Sequence, residues 1–115
     1  MGSTIERARE IIDHEADTLR RIPLDRHFEK AIDLLYHCTG KVITTGMGKA
    51  GTIARKVAGT LCSTGTPSCY LHPGESEHGD LGLINEGDVI IAFSTSGKTR
   101  EVIEMLQLSK HLGIH

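Results

Sequence analysis

Tryptophan is absent from this chain, and only two tyrosines and two phenylalanines stand among its 115 residues. Base-stacking nucleic-acid surfaces need aromatics interleaved with a basic stripe. Neither is present, since 13 basic residues are set against 15 acidic ones. Cysteine is scarce as well. Cys38, Cys62 and Cys69 are odd in number, scattered and without a C-x-x-C spacing, which fits reduced thiols rather than a disulfide framework. No apolar run approaches the roughly 20 residues that cross a bilayer. The opening "MGSTIERAREIIDHEADTLRRI" lacks the apolar stretch of a secretory signal. These absences set the expectation of a soluble, cytoplasmic protein with neither nucleic acid nor membrane as a partner.

What is present is unevenly spread. Eleven of the 13 glycines fall between Gly40 and Gly97. Ahead of them, Ile5, Ala8, Ile12, Ala16 and Leu19 recur at helical spacing. Pro23 breaks that helix, Asp25 can cap a second one carrying Phe28, Ala31, Ile32, Leu34 and Leu35, and Gly40 is expected to end it. From Lys41 the period changes. "KVITTG", "SCYLH" and "DVIIAFS" read as short strands, the last apolar enough to predict burial on both faces. "TIARKVAGTLCST" and "TREVIEMLQLSKHLG" read as helices, the second stopped by Gly113. "PGESEHGDLGLINEG" reads as a turn-rich loop. Strand–helix–strand–loop–strand–helix is the α/β order, with a parallel sheet between helices. The expected organisation is one domain over residues 1–115, with leading helices over 1–40 and the first part of the sheet over 41–115. Only three strands are present and "GIH" stands where another should begin, so "DVIIAF" is expected at or near an edge, and either the domain is C-terminally incomplete or another chain covers that edge.

Three stretches carry chemistry. "GMGKAG", Gly46 to Gly51, has G-x-G-x-x-G spacing between a strand and a helix, where backbone can approach a phosphate at a helix N-terminus. A dinucleotide site also wants an acid closing the next strand, and "SCYLHPG" supplies His72 and Pro73 instead. "AFSTSGKT", Ala92 to Thr99, matches a nucleotide P-loop if alanine is allowed first. It has one glycine, its Ala92 belongs to a strand, and no later strand ends in a metal-binding aspartate. Its four hydroxyls suit a single phosphate monoester better; helix capping accounts for one of them. "HPGESEHGDLG" gathers His72, Glu75, Glu77, His78 and Asp80 within nine residues. That density suits proton transfer or metal capture, or a solvated charged loop. All three stretches leave strands at one edge of the sheet, where open α/β folds bind ligands.

"GMGK-G", "STGTPS", "HPGE--HGDLG" and "S-SG-T-E", in this order, resemble the sugar isomerase (SIS) domain of D-arabinose 5-phosphate isomerases of the KpsF/GutQ type. The similarity runs from about Lys41 to Ile103. It implies a flavodoxin-like parallel sheet between helices (the SIS fold) and a homotetramer whose sites draw on neighbouring subunits. The implied activity interconverts D-ribulose 5-phosphate and D-arabinose 5-phosphate through an enediol, for synthesis of Kdo of lipopolysaccharide or capsule. By position, it implies that Ser94, Ser96 and Thr99 bind the substrate phosphate with backbone help from Thr95. Lys49, Glu75, His78 and Glu101 become the catalytic set, and Gly46, Gly48 and His72 shape the site. Ala50 stands where many relatives carry serine, and a later glutamate and histidine of the family site would lie beyond His115. Residues 1–115 alone are therefore expected to be inactive or weak. No cofactor is implied. Zinc could be captured adventitiously, and inhibit, through His72, His78 and Cys62 or Cys69. The rival from another class is a non-catalytic SIS phosphosugar sensor, which need not keep the acids and bases of "HPGE--HGDLG".

Overall fold

The computed structural model describes residues 2–76, 80–111 and 113–115. The chain forms two compact units, residues 1–31 and residues 32–115.

The first unit contains helix α1 (Thr4–Arg20). Its start is a capping box: Ser3 Oγ accepts the Glu6 N–H, and Glu6 Oε2 accepts the Ser3 N–H at 2.7 Å. Helix α2 (Arg26–Tyr36) begins in this unit, with Asp25 Oδ1 accepting the amides of His27 and Phe28, as the sequence predicts. Neither helix buries a residue fully, and Ile5, Ile12, Leu19, Phe28, Ile32 and Tyr36 are exposed. Helix α2 stops at Tyr36 rather than at Gly40. Gly40 answers a different need. A Cβ there would run into the Asp88 carboxylate, and its N–H donates to the Gly87 carbonyl.

The second unit is a parallel sheet of β1 (Val42–Gly46), β2 (Ser68–Tyr70) and β3 (Val89–Phe93) in the order β2-β1-β3. Val42 pairs with Ser68 on one side and Val89 on the other, so the three C-terminal ends share an edge. Side chains alternate between faces. Thr44 points to helix α3 (Gly48–Ser63), where its hydroxyl donates to the Ala54 carbonyl at 2.7 Å. Gly51, Ala54 and Ala58, small and spaced by three and four, form the buried stripe of α3. Ile43 faces the other way, into a cluster with Leu71, Ile84, Ile114 and Met105 of α5 (Arg100–His111). The sheet therefore lies between helices, the α/β arrangement the sequence implies.

Burial differs from the sequence expectation in one respect. All five residues of β1 are buried, whereas in β3 only Val89 is and Ile90–Phe93 are partly covered. β3 is at the edge of the sheet, as expected, but its apolar residues are not fully covered. Its outer side is met at Ile90, whose N–H donates to the His115 carbonyl at 2.7 Å. The turn-rich stretch after β2 contains a four-residue helix α4 (Pro73–Ser76) and a 3₁₀ turn over Asp80–Leu83. Gly113, at φ 78°, closes α5 as expected: its N–H and that of Ile114 return to the carbonyls of Lys110 and Ser109.

Candidate functional site

Two strand-to-helix turns meet at the C-terminal edge. β1 ends at Gly46 and α3 begins at Gly48, so most of "GMGKAG" is the first turn of a helix. Gly48 has φ 57°, in the region that favours glycine. Gly51 is needed for close approach, since a Cβ there would sit 2.6 Å from the Gly46 carbonyl oxygen. The residue before α3 is Met47, which provides no side-chain cap, so the opening amides of α3 have none of the oxygen partners a serine would give. Such amides and the positive end of the helix favour an anion. Lys49 lies in this first turn, exposed, and its ammonium has no ion-pair partner among the described residues.

The second turn joins β3 to α5. Gly97 takes φ 70°. The Gly97 N–H donates to Ser94 Oγ at 2.9 Å and the Lys98 N–H to Ser96 Oγ at 3.0 Å. Ser94 Oγ and Thr99 Oγ1 are 3.2 Å apart. Local capping thus employs the hydroxyls as acceptors, more fully than the sequence reading allowed. A hydroxyl that accepts still has its own proton to donate. Ala92 is inside β3, while Lys98 and Thr99 precede α5, which begins at Arg100. A triphosphate loop places that lysine and hydroxyl at the helix, with glycines wrapped around the phosphates, and this turn does neither. Nor does β2 end in an acid, which removes the ribose-holding partner of a dinucleotide site.

Between the two turns is a cavity of about 240 Å³ lined by Lys49, Ala50, Ile53, Phe93, Ser94 and Thr95. The structure therefore brings the lysine of the first turn to the hydroxyls of the second. Thr99 is tied to this lining through Ser94, and Ser96 sits in the same turn. Glu101 stands in the first turn of α5, partly buried. His72 follows β2, its Nδ1 accepting the Gly74 N–H at 3.1 Å, which leaves Nε2 to carry the proton of the neutral ring. Glu75 belongs to α4. His78 and Glu77 lie outside the described residues.

Sequence reasoning passed over Ile53 and Phe93. Ile53 is 54 % exposed although it is a large aliphatic on a helix otherwise packed through small residues. Its signal was its place four residues after Lys49, on the same helical face. Together with Phe93 it supplies apolar surface to the cavity lining.

Among the described residues no three His, Cys, Asp or Glu side chains come together as a metal site. All three cysteines are free, and burial pushes the Cys69 thiol up against a smaller opposing pull from Lys41, which makes it a poor nucleophile.

A parallel α/β sheet with a lysine and a hydroxyl-rich turn lining one cavity at its C-terminal edge is an arrangement that suits an anionic ligand. The SIS domain family matches residues 34–115, and the chain belongs to it. Arabinose 5-phosphate isomerase KdsD of Francisella tularensis is 44 % identical over 119 residues, covering 99 % of this chain and 36 % of that protein. KdsD of Salmonella typhi is 42 % identical over 108 residues, and KdsD of Pseudomonas aeruginosa 51 % over 87, covering 92 % and 76 % of this chain. The chain spans about a third of the length of these relatives. Among solved structures, a Bacteroides fragilis protein assigned as a phosphosugar isomerase involved in capsule formation superposes with a TM-score of 0.89 at 46 % identity. That match covers 96 % of this chain and 59 % of the other. An Escherichia coli CFT073 protein in complex with arabinose 5-phosphate gives 0.84 at 38 % identity, covering 99 % and 63 %. No helix among the described residues is long and apolar enough to cross a membrane.

Proposed function

We propose that the protein carrying this chain is an aldose–ketose isomerase that interconverts D-arabinose 5-phosphate and D-ribulose 5-phosphate. The observation that carries the reading is the shared cavity, in which Lys49 faces Ser94 and Thr95 across about 240 Å³. The KdsD relatives and the arabinose 5-phosphate complex of the E. coli protein support the choice of sugar phosphate. The hydroxyls of Ser94, Ser96 and Thr99 hold the terminal phosphate, with the Thr95 backbone beside them. A base removes the proton from C2 of the open-chain aldose. The electron pair forms the C1–C2 double bond, and O1 takes up a proton to give the enediol. Return of a proton to C1, with loss of the O2 proton, gives the ketose. Glu101 or His78 moves the proton, and the Lys49 ammonium stabilises the developing oxyanion. By the family resemblance Glu75 joins Lys49, His78 and Glu101 in the catalytic set, and His72, Gly46 and Gly48 belong to the surrounding site loops. This chemistry proceeds through the side chains alone and calls for no metal.

The product would feed synthesis of the eight-carbon acid Kdo in the cytoplasm. Exposed apolar residues along α1 and α2 support assembly into a homo-oligomer, a tetramer by the family resemblance. Light scattering of the purified protein tests that assembly.

The deciding experiment is turnover of ribulose 5-phosphate by the full-length protein, with deuterium exchange at C2 of arabinose 5-phosphate in heavy water. Exchange and turnover are expected. Binding of the sugar phosphate with no exchange would make the protein a phosphosugar sensor instead.

A further inference from the structure

The backbone ladder between β1 and β2 ends where the site begins. Its last bond runs from the Leu71 N–H to the Thr44 carbonyl, at 2.9 Å. Beyond it, two side chains carry the pairing on. From β2, the Tyr70 hydroxyl donates to the Gly46 carbonyl at 2.7 Å. From β1, the Thr45 hydroxyl donates to the Leu71 carbonyl at 2.6 Å. The two bonds are reciprocal, and they lie on opposite faces of the sheet. Tyr70 is in register with Thr44 and shares its side, towards α3; Thr45 shares the side of Ile43.

Each bond ends on a carbonyl at the root of a site loop. Gly46 opens the turn that presents Lys49, and Leu71 immediately precedes His72 and α4. The Tyr70 hydroxyl is fitted closely: a Cβ on Gly51 would meet it at 3.0 Å. Its ring is covered by the Arg55 guanidinium, 4.2 Å from the centroid and one helical turn beyond Gly51. Thr45 is wholly buried.

We propose that Tyr70 and Thr45 are positioning residues that lock the Lys49 turn and the His72 loop to each other, so that the groups on both loops reach one substrate in fixed geometry. The catalytic consequence rests on the isomerase reading above. Small displacements of a catalytic group cost rate steeply, so the two hydroxyls act chiefly on kcat.

A control is built into the same pair of strands. Ser68 Oγ donates to the Val42 carbonyl at 2.7 Å, an equivalent link at the end remote from the site. Tyr70→Phe, Thr45→Val and Ser68→Ala are compared in the full-length protein by steady-state kinetics on arabinose 5-phosphate and by amide exchange over residues 46–51. Tyr70→Phe and Thr45→Val are each expected to lower kcat about tenfold with KM changed less than about twofold. Exchange in the Lys49 turn should quicken about tenfold in Tyr70→Phe. Ser68→Ala should leave both readouts within about twofold of wild type. Equal kinetics in all three variants, or unchanged exchange over residues 46–51 in Tyr70→Phe, would overturn the proposal. A wild-type protein silent on arabinose 5-phosphate would instead refute the isomerase reading, and the exchange data would still decide whether the hydroxyl holds the turn.

Discussion

At the N-terminal edge of the sheet, Asp88 is 3 % exposed and fully partnered: it accepts from the backbone and ammonium of Lys41 and from the backbone of Asn85, at 2.7–2.8 Å. At the C-terminal edge, at the far end of β1, Lys49 is exposed with no ion-pair partner among the described residues, and it lines a cavity with Ser94 and Thr95 of the hydroxyl-rich turn. Both edges hold a lysine and a strand end. In one the charge is paired within the fold; in the other it has no ion-pair partner among the described residues. A buried carboxylate must be satisfied internally because water cannot reach it. A lysine at a helix start that lines a cavity has no such constraint, and its unspent charge is what a phosphate or an oxyanion would meet.

The comparison breaks most sharply at the lysines' partners. Lys49→Met is expected to lower turnover of arabinose 5-phosphate by about 10², roughly 2.7 kcal/mol of transition-state stabilisation, with the urea midpoint unchanged. If that variant lost stability and not rate, Lys49 would belong with Lys41. Asp88→Ala should do the converse. It strands the Lys41 ammonium and two amides and should cost about 3 kcal/mol in urea unfolding, while the surviving folded protein binds sugar phosphate normally.

The same carboxylate makes a pH prediction. Burial acts to raise its pKa, but the hydrogen bonds from the Lys41 side chain and backbone and the Asn85 backbone outweigh it, and the group sits below its ordinary value. A lowered folded pKa contributes stability that is present above the ordinary carboxylate range and is lost as pH falls through the folded value. Asp88→Asn should therefore flatten the dependence of unfolding free energy on pH below about pH 4. An acid limb as steep as in wild type would assign it to other carboxylates.

Smaller effects sharpen the site edge. Ser96→Ala should weaken binding of arabinose 5-phosphate about tenfold, near 1.4 kcal/mol, by isothermal titration. An unchanged affinity would remove Ser96 from the phosphate set. Lys98→Ala should change affinity by less than about twofold, since its exposed side chain follows the turn rather than lining the cavity.

Local signals were the readable ones. The start of α2 at Asp25 and the stop of α5 at Gly113 follow from side chains within three or four residues, and the structure has both. Gly40 misled because a glycine after a helical run has two explanations, a C-cap or a close approach. The second holds here, and it involves Gly87 and Asp88, some 47 residues on. The edge position of β3 was expected, and the order β2-β1-β3 has it; what misled was its all-apolar composition, read as burial on both faces although Ile90–Phe93 are only partly covered. Of the cavity lining and its supports, Lys49, Ser94 and Thr95 stood out in the sequence as parts of motifs. Ile53, Phe93, Thr45 and Tyr70 did not, because each is defined by what lies across from it.

The sequence by itself determined that this is a parallel α/β chain with a glycine-rich and a hydroxyl-rich strand-to-helix turn, because strand period, glycine placement and hydroxyl density are properties of short segments. Only the tertiary structure decided that the two turns enclose one cavity, that Asp88 and not a site residue holds Lys41, and that Tyr70 and Thr45 tie the loops together. Those facts depend on which strands are neighbours and in what register, and register is fixed by the packing of α3 and α5 on the two faces of the sheet rather than by any single segment.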